Sequence, residues 1–247
     1  MSRKHQPSQE SKRAERQAVA RRQRKIRSWL IGLVVTLVAV VGIWLLSSRL
    51  TPSDPSVGRP VGVQDDLGIP VGTATVPVLD LYEDFQCPAC KTLEQMVGPT
   101  LRQLAADGKV KIVYHILSFL DRNLRNDSSL RSANAAGCAQ DQGSFEAFHD
   151  LVYENQPVTE GDGFTDEQLV GFARDAGVAD MVRFQTCMAD GTHNNWVKQV
   201  QLRASDRQVT GTPTLFLEGE RVDLTDATTW EDVTILLTSM IEAAGGR

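Results

Sequence analysis

The segment LYEDFQCPACKTLEQMVG, residues 81–98, places two cysteines three positions apart where one sequence pattern gives way to another. The residues before Cys87 form an apolar, strand-like run, and those after it carry apolar side chains at helical spacing. Cys87 therefore lies at the predicted start of a helix, with Cys90 one turn further on. Such a pair can bind zinc, form a structural disulfide, attach haem or act as a redox couple.

The helix start favours the redox couple. A nucleophilic cysteine must be a thiolate, and a helix N-terminus supplies unpaired N–H groups and about half a positive charge. Cys87 is placed to receive this effect, and Pro88 suits the first turn because its missing N–H has no partner there. Cys90 should lie under Cys87 and act as the resolving thiol.

The other uses of the pair fit less well. Zinc sites usually have four ligands in two close pairs, whereas Cys138 and Cys187 are far apart in the chain and have no His at pair spacing. A c-type haem site needs His after the second Cys, where this chain has Lys91. A disulfide that closes so short a loop removes little chain entropy. The four His form no evident constellation, and we expect neither metal nor cofactor.

The N-terminal region predicts a membrane anchor. Residues 29–46 are 18 consecutive uncharged, almost wholly apolar residues, which at about 1.5 Å per residue cross a bilayer core. Residues 1–28 carry ten Lys and Arg and two Glu, a net charge of +8, so −13 remains for the rest of a chain whose total is −5. This asymmetry predicts a cytoplasmic tail at 1–28 and an extracytoplasmic remainder.

Two alternatives to this interpretation are a cleaved signal peptide and a nucleic-acid-binding tail. A signal peptide's apolar region is about 7–15 residues and ends at a small-residue cleavage site, and the run here is longer. The positive tail is explained by topology and by attraction to anionic lipids. We therefore expect a single-pass cell-membrane protein with no nucleic-acid partner.

A linker and one outer domain should follow the anchor. Residues 47–60 are rich in Ser, Pro and Gly, as in solvated spacers. Residues 61–247 are enough for one well-buried core. Within them, 76–85 and 109–117 are predicted strands, joined by a helix from Cys87 to Asp107 with a possible bend at Gly98-Pro99, which makes a parallel βαβ unit.

A helical block is predicted at about 118–208, with a capping box at Thr165 and Gln168 and a stop at Gly177. Two short strands should then turn at Glu218-Gly219, and a final helix should begin with Thr228 and Glu231 at capping spacing. The predicted helices of the block are 127–140, 145–154, 166–177, 179–190 and 194–208.

The element order, a βαβ unit, a helical block and a ββα unit, resembles the thioredoxin superfamily and, more closely, its DsbA-like branch, which carries a helical insertion at this place. The resemblance spans residues 70–245, and its most specific pieces are DFQCPAC (84–90) and GTPTLFLEGERV (211–222). It implies an α/β thioredoxin-like fold with a helical insertion. It also implies that the Thr212-Pro213 bond is cis, against the cysteine pair, and that Pro213 binds the substrate backbone; from sequence alone most X-Pro bonds are trans.

The family also places a buried acid six residues before the first cysteine, where this chain has Leu81. Asp80, Glu83 and Asp84 are the nearby candidates for passing a proton to Cys90, and the sequence does not choose among them.

The second pair, Cys138 and Cys187, falls within the helical block. In an oxidising exterior the pair is predicted to form a structural disulfide, the alternative being two buried free thiols.

The predicted function is that of a membrane-anchored oxidase that introduces disulfides into exported client proteins through Cys87 and Cys90. The resemblance implies reoxidation by a membrane partner of the DsbB or vitamin K epoxide reductase type. We expect a monomer, since the short spacer offers no dimerisation domain. A reductase or isomerase, and a non-catalytic holdase or binding module that keeps the fold, are the alternatives.

Overall fold

The structure is a computed structural model that describes Leu37 and residues 58–246. The predicted tail at 1–28, nearly all of the predicted anchor at 29–46 and most of the linker lie outside these residues. In the part of the chain that is described, no helix is long and apolar enough to cross a membrane.

A five-stranded sheet with the strand order β1-β3-β2-β4-β5 forms the centre of the domain. Strands β2 and β3 pair in parallel, as the βαβ pattern predicts, and the other neighbours are antiparallel. The strands are β1 Ile69–Val71, β2 Val78–Glu83, β3 Lys111–Ile116, β4 Thr214–Leu217 and β5 Glu220–Arg221.

Strand β1 was not among the predicted elements. It has only three residues and pairs antiparallel with β3 at the edge of the sheet. Its central residue, Pro70, cannot donate a ladder hydrogen bond, which is tolerated at an edge. So short a segment with a proline in it carries no period that could reveal a strand.

The predicted helix after Cys87 is divided in two. Helix α1 spans Pro88–Met96 and helix α2 spans Gly98–Ala106, with Val97 between them. The interruption falls where Gly98 and Pro99 predict a bend, because proline cannot donate a helical hydrogen bond and its ring clashes with the preceding turn. Helix α1 turns Cys90, Leu93 and Glu94 into the core.

Six helices lie between β3 and β4 and form the predicted insertion. The capping box is confirmed: Gln168 N–H donates to the Thr165 hydroxyl, and Thr165 N–H donates to the Gln168 side chain. The five-residue α3 was not predicted, since it is too short to show a helical period. The helices are α3 Leu120–Leu124, α4 Ser128–Gln140, α5 Phe145–Glu154, α6 Asp166–Asp175, α7 Met181–Asp190 and α8 Asn194–Asp206.

A disulfide ties two helices of the insertion together. Cys138 of α4 and Cys187 of α7 are joined with an S–S distance of 2.03 Å and a Cα–Cα distance of 5.9 Å. Cys138 is buried, and both cysteines pack against the core of the domain. The insertion is therefore closed covalently as well as by packing.

The chain ends in helix α9, Trp230–Gly245. The predicted capping pair Thr228 and Glu231 is wrong by one position, because the hydroxyl of Thr229 accepts from Asp232 N–H and the Asp232 carboxylate accepts from Thr229 N–H. Thr228 and Thr229 are adjacent, and each is followed three residues later by an acid. The sequence therefore allows two capping pairs, because Asp has the same acceptor group as Glu on a shorter side chain.

Residues on both sides of the predicted boundary between linker and domain contact the helical insertion. Gly58 O lies 2.6 Å from Nδ1 of buried His193, and Val61 N–H donates to the Asp141 carboxylate at 2.8 Å. The ordered domain therefore extends at least to Gly58.

Candidate active site

Cys87 lies at the junction that β2 and α1 create. It is the N-cap of α1 with an extended backbone, and Pro88 takes the first helical position. Its N–H donates to Asp84 O at 2.9 Å, which closes a tight turn between the strand and the helix. The free N–H groups of the first helical turn are therefore directed toward the Cys87 sulfur.

The two thiols of the pair are both reduced and differ in access to solvent. Cys87 is 8% exposed, whereas Cys90, one turn along α1, is 0% exposed. A client sulfur can thus approach Cys87 but cannot reach Cys90. This arrangement matches the predicted order, with Cys90 beneath Cys87.

The surroundings move the pKa values of the two thiols in opposite directions. The hydrogen bond from Cys90 is the largest effect on Cys87; with a contribution from Thr212 and the N–H groups of Cys90 and Ala89, it lowers the Cys87 pKa to about 6, against the effect of burial. Burial raises the pKa of Cys90 well above its ordinary value, and the neighbouring Cys87 and the charge of Glu83 raise it further. These opposite changes favour the thiolate at Cys87 and the thiol at Cys90.

The loop before β4 covers the other side of Cys87. The Thr212–Pro213 peptide bond is cis, and the Cys87 thiol lies 3.3 Å from Thr212 O. The hydroxyl of Thr214 donates to Gly211 O at 2.8 Å and so fixes the loop at the start of the strand. The structure thus brings together all four predicted residues of the site, Cys87, Cys90, Thr212 and Pro213.

A residue of the insertion that the sequence did not indicate also holds the cysteine turn. The buried Gln156, just after α5, donates from its side-chain amide to Phe85 O at 2.8 Å and to Cys87 O at 3.0 Å. Lys91 of α1 donates to the backbone oxygen of Gln156 at 3.1 Å. A lone Gln in a loop has no motif that could have marked it.

Two of the three candidate acids are engaged away from Cys90. Asp80 lies on the opposite face of β2 from Glu83, 2.8 Å from Nε2 of His115 and 3.0 Å from Arg207. The Asp84 carboxylate accepts from the Ser129 hydroxyl at 2.5 Å and from two backbone N–H groups. Burial raises the pKa of Asp84 to about 7 although these donors oppose the change.

Glu83 is the acid whose charge acts on Cys90. Its side chain is wholly buried, and its Oε2 lies 3.0 Å from Nε2 of His149 on α5. Burial, followed by the charge of Glu94, raises the Glu83 pKa, while His149 opposes the rise. The buried acid is thus supplied four residues before Cys87 rather than six.

The expectation that the histidines form no constellation is wrong for the three that the structure describes. Each buried ring lies beside an acid: His115 by Asp80, His149 by Glu83 and His193 by Asp141. In each case the partners are far apart in sequence, so spacing could not reveal them.

Comparisons with known proteins agree with this fold. The sequence model of the thioredoxin family matches residues 67–238. A probable disulfide bond formation protein D of Bacillus anthracis is 30% identical over 199 residues, covering 76% of this chain and 87% of the relative. The structure of MdbA, a thiol-disulfide oxidoreductase from Actinomyces oris, has a TM-score of 0.64 and 26% identity and covers 74% of this chain and 93% of its own. DsbA from Mycobacterium tuberculosis in its reduced form has a TM-score of 0.61 and 26% identity, covering 73% and 93%.

A thioredoxin-like sheet with a dithiol at the start of its first helix defines a thiol:disulfide oxidoreductase. The chain belongs to the thioredoxin family and, within it, to the DsbA-like thiol:disulfide oxidoreductases. The family predicted from the sequence is confirmed, and so is the prediction of an enzyme.

Proposed function

We propose that this protein is a membrane-anchored oxidase that introduces disulfides into exported proteins through Cys87 and Cys90. The observation that carries the proposal is the placement of Cys87 at the N-terminus of α1 and of Cys90, wholly buried, one turn further on; this placement lowers the Cys87 pKa to about 6 and raises that of Cys90. A stabilised Cys87 thiolate favours the reduced protein, and a protein whose reduced form is stabilised is a strong oxidant.

The reaction begins with the Cys87–Cys90 disulfide. A client thiolate attacks Sγ of Cys87, the bond to Cys90 breaks, and Cys90 leaves with the electron pair and takes up a proton. A second client thiolate then attacks the client sulfur of the mixed disulfide, and Cys87 leaves as a thiolate. The client loses two electrons and the protein gains them.

Pro213 and Thr212 are assigned to holding the client backbone. Thr212 O lies 3.3 Å from the Cys87 sulfur, so an extended client segment beside this loop would bring its cysteine to the attacking position. Glu83 is assigned to proton transfer with Cys90, because it is buried and its charge acts on that thiol. The disulfide between Cys138 and Cys187 is assigned a structural role only.

Reoxidation requires a partner that accepts the two electrons. We assign this role to a membrane reoxidase of the DsbB or vitamin K epoxide reductase type, which the anchor at 29–46 would keep close. The ten Lys and Arg before the anchor support a cytoplasmic tail and an extracytoplasmic catalytic domain. The protein is assigned as a monomer.

The test is the reduction potential of the Cys87–Cys90 couple, measured against glutathione, together with oxidation of a reduced two-cysteine peptide. We expect a potential between about −180 and −120 mV and peptide oxidation that Cys87→Ser abolishes. A potential near that of thioredoxin, about −270 mV, would make the protein a reductase. An unreactive dithiol would leave only the holdase alternative.

A further inference from the structure

Two buried carboxyl oxygens near the cysteine pair lack a partner. Glu83 Oε1 and Glu94 Oε1 have no hydrogen-bond partner among the residues that the structure describes. The side chains are 0% and 3% exposed. Their other oxygens are occupied, by His149 Nε2 at 3.0 Å for Glu83 and by Arg102 at 2.8 Å for Glu94. Buried acceptors in native proteins are almost always satisfied, so these two require an explanation.

The two carboxyl groups lie next to each other. One carboxyl oxygen of Glu83, one carboxyl oxygen of Glu94 and one ring nitrogen of His149 all lie within 4.8 Å of one another. Two ionised carboxylates can only accept hydrogen bonds, whereas a protonated one can donate to its neighbour. A single proton between the two groups would let one carboxyl group donate a hydrogen bond to the other and would remove the repulsion between two like charges.

The pair connects Cys90 with the surface. Cys90 and Glu94 are four residues apart on α1 and both are buried, so they follow one another along the inner face of the helix. Beyond Glu94 lies an open pocket of about 240 Å³ whose walls include Arg102 and Asp150. The side chains of Arg102 and Asp150 are 24% and 34% exposed and lie 3.2 Å apart.

We propose that Glu83 and Glu94 share one proton and that this pair carries the proton of Cys90 to and from the solvent in the Arg102–Asp150 pocket. This inference rests on the proposed function, because it concerns the moment at which Cys90 leaves or attacks. When Cys90 leaves as a thiolate, the shared proton passes through Glu83 to Cys90, and a proton from the solvent then reaches Glu94 and restores the pair. In reoxidation the same proton travels outward. Glu94 acts through Glu83 and touches no sulfur, so its role is one of positioning and relay.

A divalent cation is the competing occupant of the same three side chains. Two features favour a proton. Arg102 already supplies a positive charge to Glu94 at 2.8 Å, and His149 Nε2 is already paired with Glu83 Oε2 at 3.0 Å. A cation would have to displace that pairing inside a buried core.

Several charged or titratable groups surround Glu83, so its protonation must be followed directly rather than from activity alone. Burial and the charges of Glu94 and Glu83 raise the pKa of Tyr114 well above its ordinary value, and Tyr153 is affected in the same way. The groups that face the pair are Cys90 on α1, Arg102 on α2, Tyr114 on β3, and His149, Asp150 and Tyr153 on α5.

The first test uses the full-length protein in detergent and the variant Glu94→Gln, which cannot share a proton. Glutathione is attached to Cys87 and its release by Cys90 is timed by rapid quenching between pH 6 and 8. We expect release roughly tenfold slower in E94Q, with an altered pH profile, and a partial return in Glu94→Asp. Glu154→Gln is the matched control, because Glu154 lines the same pocket outside the cluster, and its rate should be unchanged.

The second test follows the carboxyl groups by ¹³C NMR with labelled Glu in the reduced protein. One Glu carboxyl of the wild type should keep its proton at neutral pH, and its titration midpoint should fall in E94Q, since the neighbouring charge is gone. This readout on the wild type needs no variant to fold. Zn²⁺ is also titrated into the oxidised protein, in which Cys87 and Cys90 cannot bind it.

Three results would overturn the relay: release in E94Q within twofold of wild type, no Glu protonated at neutral pH, or saturable Zn²⁺ binding that E94Q abolishes. None of these depends on peptide oxidation. A wild-type protein that shows the shared proton but fails to oxidise peptides would instead overturn the proposed function.

Discussion

Cys87 and Cys90 have identical side chains, and position alone separates their chemistry. Cys87 has the N–H groups of the helix start and the neighbouring thiol as donors, whereas Cys90 has a buried acid beside it. The sulfur that is exposed is therefore also the one that ionises. A couple with the opposite arrangement would hold its thiolate where no client could reach it.

This asymmetry predicts which variant traps clients. In Cys90→Ser the resolving thiol is absent, so mixed disulfides between Cys87 and client proteins should accumulate. Cys87→Ser should accumulate none, because Cys90 is wholly buried. Non-reducing gels of cells that express each variant provide the measurement. Equal trapping by the two variants would show that the assigned order of attack is wrong.

A second prediction concerns the ionisation of Cys87. The thiolate absorbance at 240 nm should titrate with a midpoint near the pKa of about 6 in the reduced protein. In Cys90→Ala the hydrogen bond that contributes most to the lowering is absent, so the midpoint should rise toward, but not reach, the ordinary value of about 8.5. Cys138 and Cys187 stay paired in both proteins and do not absorb in this way. An unchanged midpoint in Cys90→Ala would show that the helix start alone sets the pKa.

At the scale of elements, the disulfide between α4 and α7 should act on stability and not on chemistry. It closes a loop of 49 residues, for which the chain-entropy account gives about 4 kcal/mol. The double variant Cys138→Ser/Cys187→Ser should lose roughly this free energy of unfolding in urea, measured with Cys87 and Cys90 reduced in both proteins. Peptide oxidation below the melting temperature should be retained. Loss of oxidation by a folded double variant would assign a redox role to the second pair.

Elements with a clear period and a chemical marker could be predicted from the sequence. Strand β2, the start of α1 and the parallel partner β3 followed from apolar runs and from Pro88. Strand β1 and helix α3 could not be predicted, because three and five residues cover only about one and a half periods of a strand or a helix, too few to show a repeat. The register of the α9 cap failed for a different reason, since Thr228 and Thr229 are adjacent and each has an acid three residues on.

The residues of the site divide in the same way, into those that a local sequence motif marks and those that only the folded structure brings together. The cysteine pair is marked by a local motif at a predicted helix start, and the role of the loop at Pro213 was predicted through the family resemblance that its motif carries. Gln156, His149 and Glu94 act through contacts that span the sheet or the insertion, as in the 3.0 Å approach of His149 to Glu83. No alternation or spacing in one sequence encodes a contact between residues 66 positions apart.

For the molecule as a whole, the reduced form should be the more stable of the two redox states at pH 7. Only the reduced form contains the Cys87 thiolate, which the helix start and Cys90 stabilise. Thermal melts of the two forms, with Cys138 and Cys187 paired in each, provide the measurement. A clearly higher melting temperature for the oxidised form would argue for a reductase.

The advantage of the reduced form should depend on pH in a defined direction. The Cys87 pKa is lowered on folding from about 8.5 to about 6, so its contribution is fully present above pH 8.5. It declines as the pH falls toward the folded pKa and is lost below it. The difference between the melting temperatures of the two forms should therefore shrink between pH 8.5 and pH 6. A difference that grows over this range would contradict the assignment of a Cys87 thiolate.

The cysteine turn is built partly by the insertion, and this limits how the domain can be engineered. Gln156 holds Phe85 O and Cys87 O, and the Ser129 hydroxyl holds the Asp84 carboxylate. Deleting residues 118–208 would therefore not leave an intact minimal thioredoxin domain, because the contacts that hold the cysteine turn would be lost. Grafting the segment CPAC onto a smaller scaffold would transfer the two sulfurs without the donors that shape the loop around them.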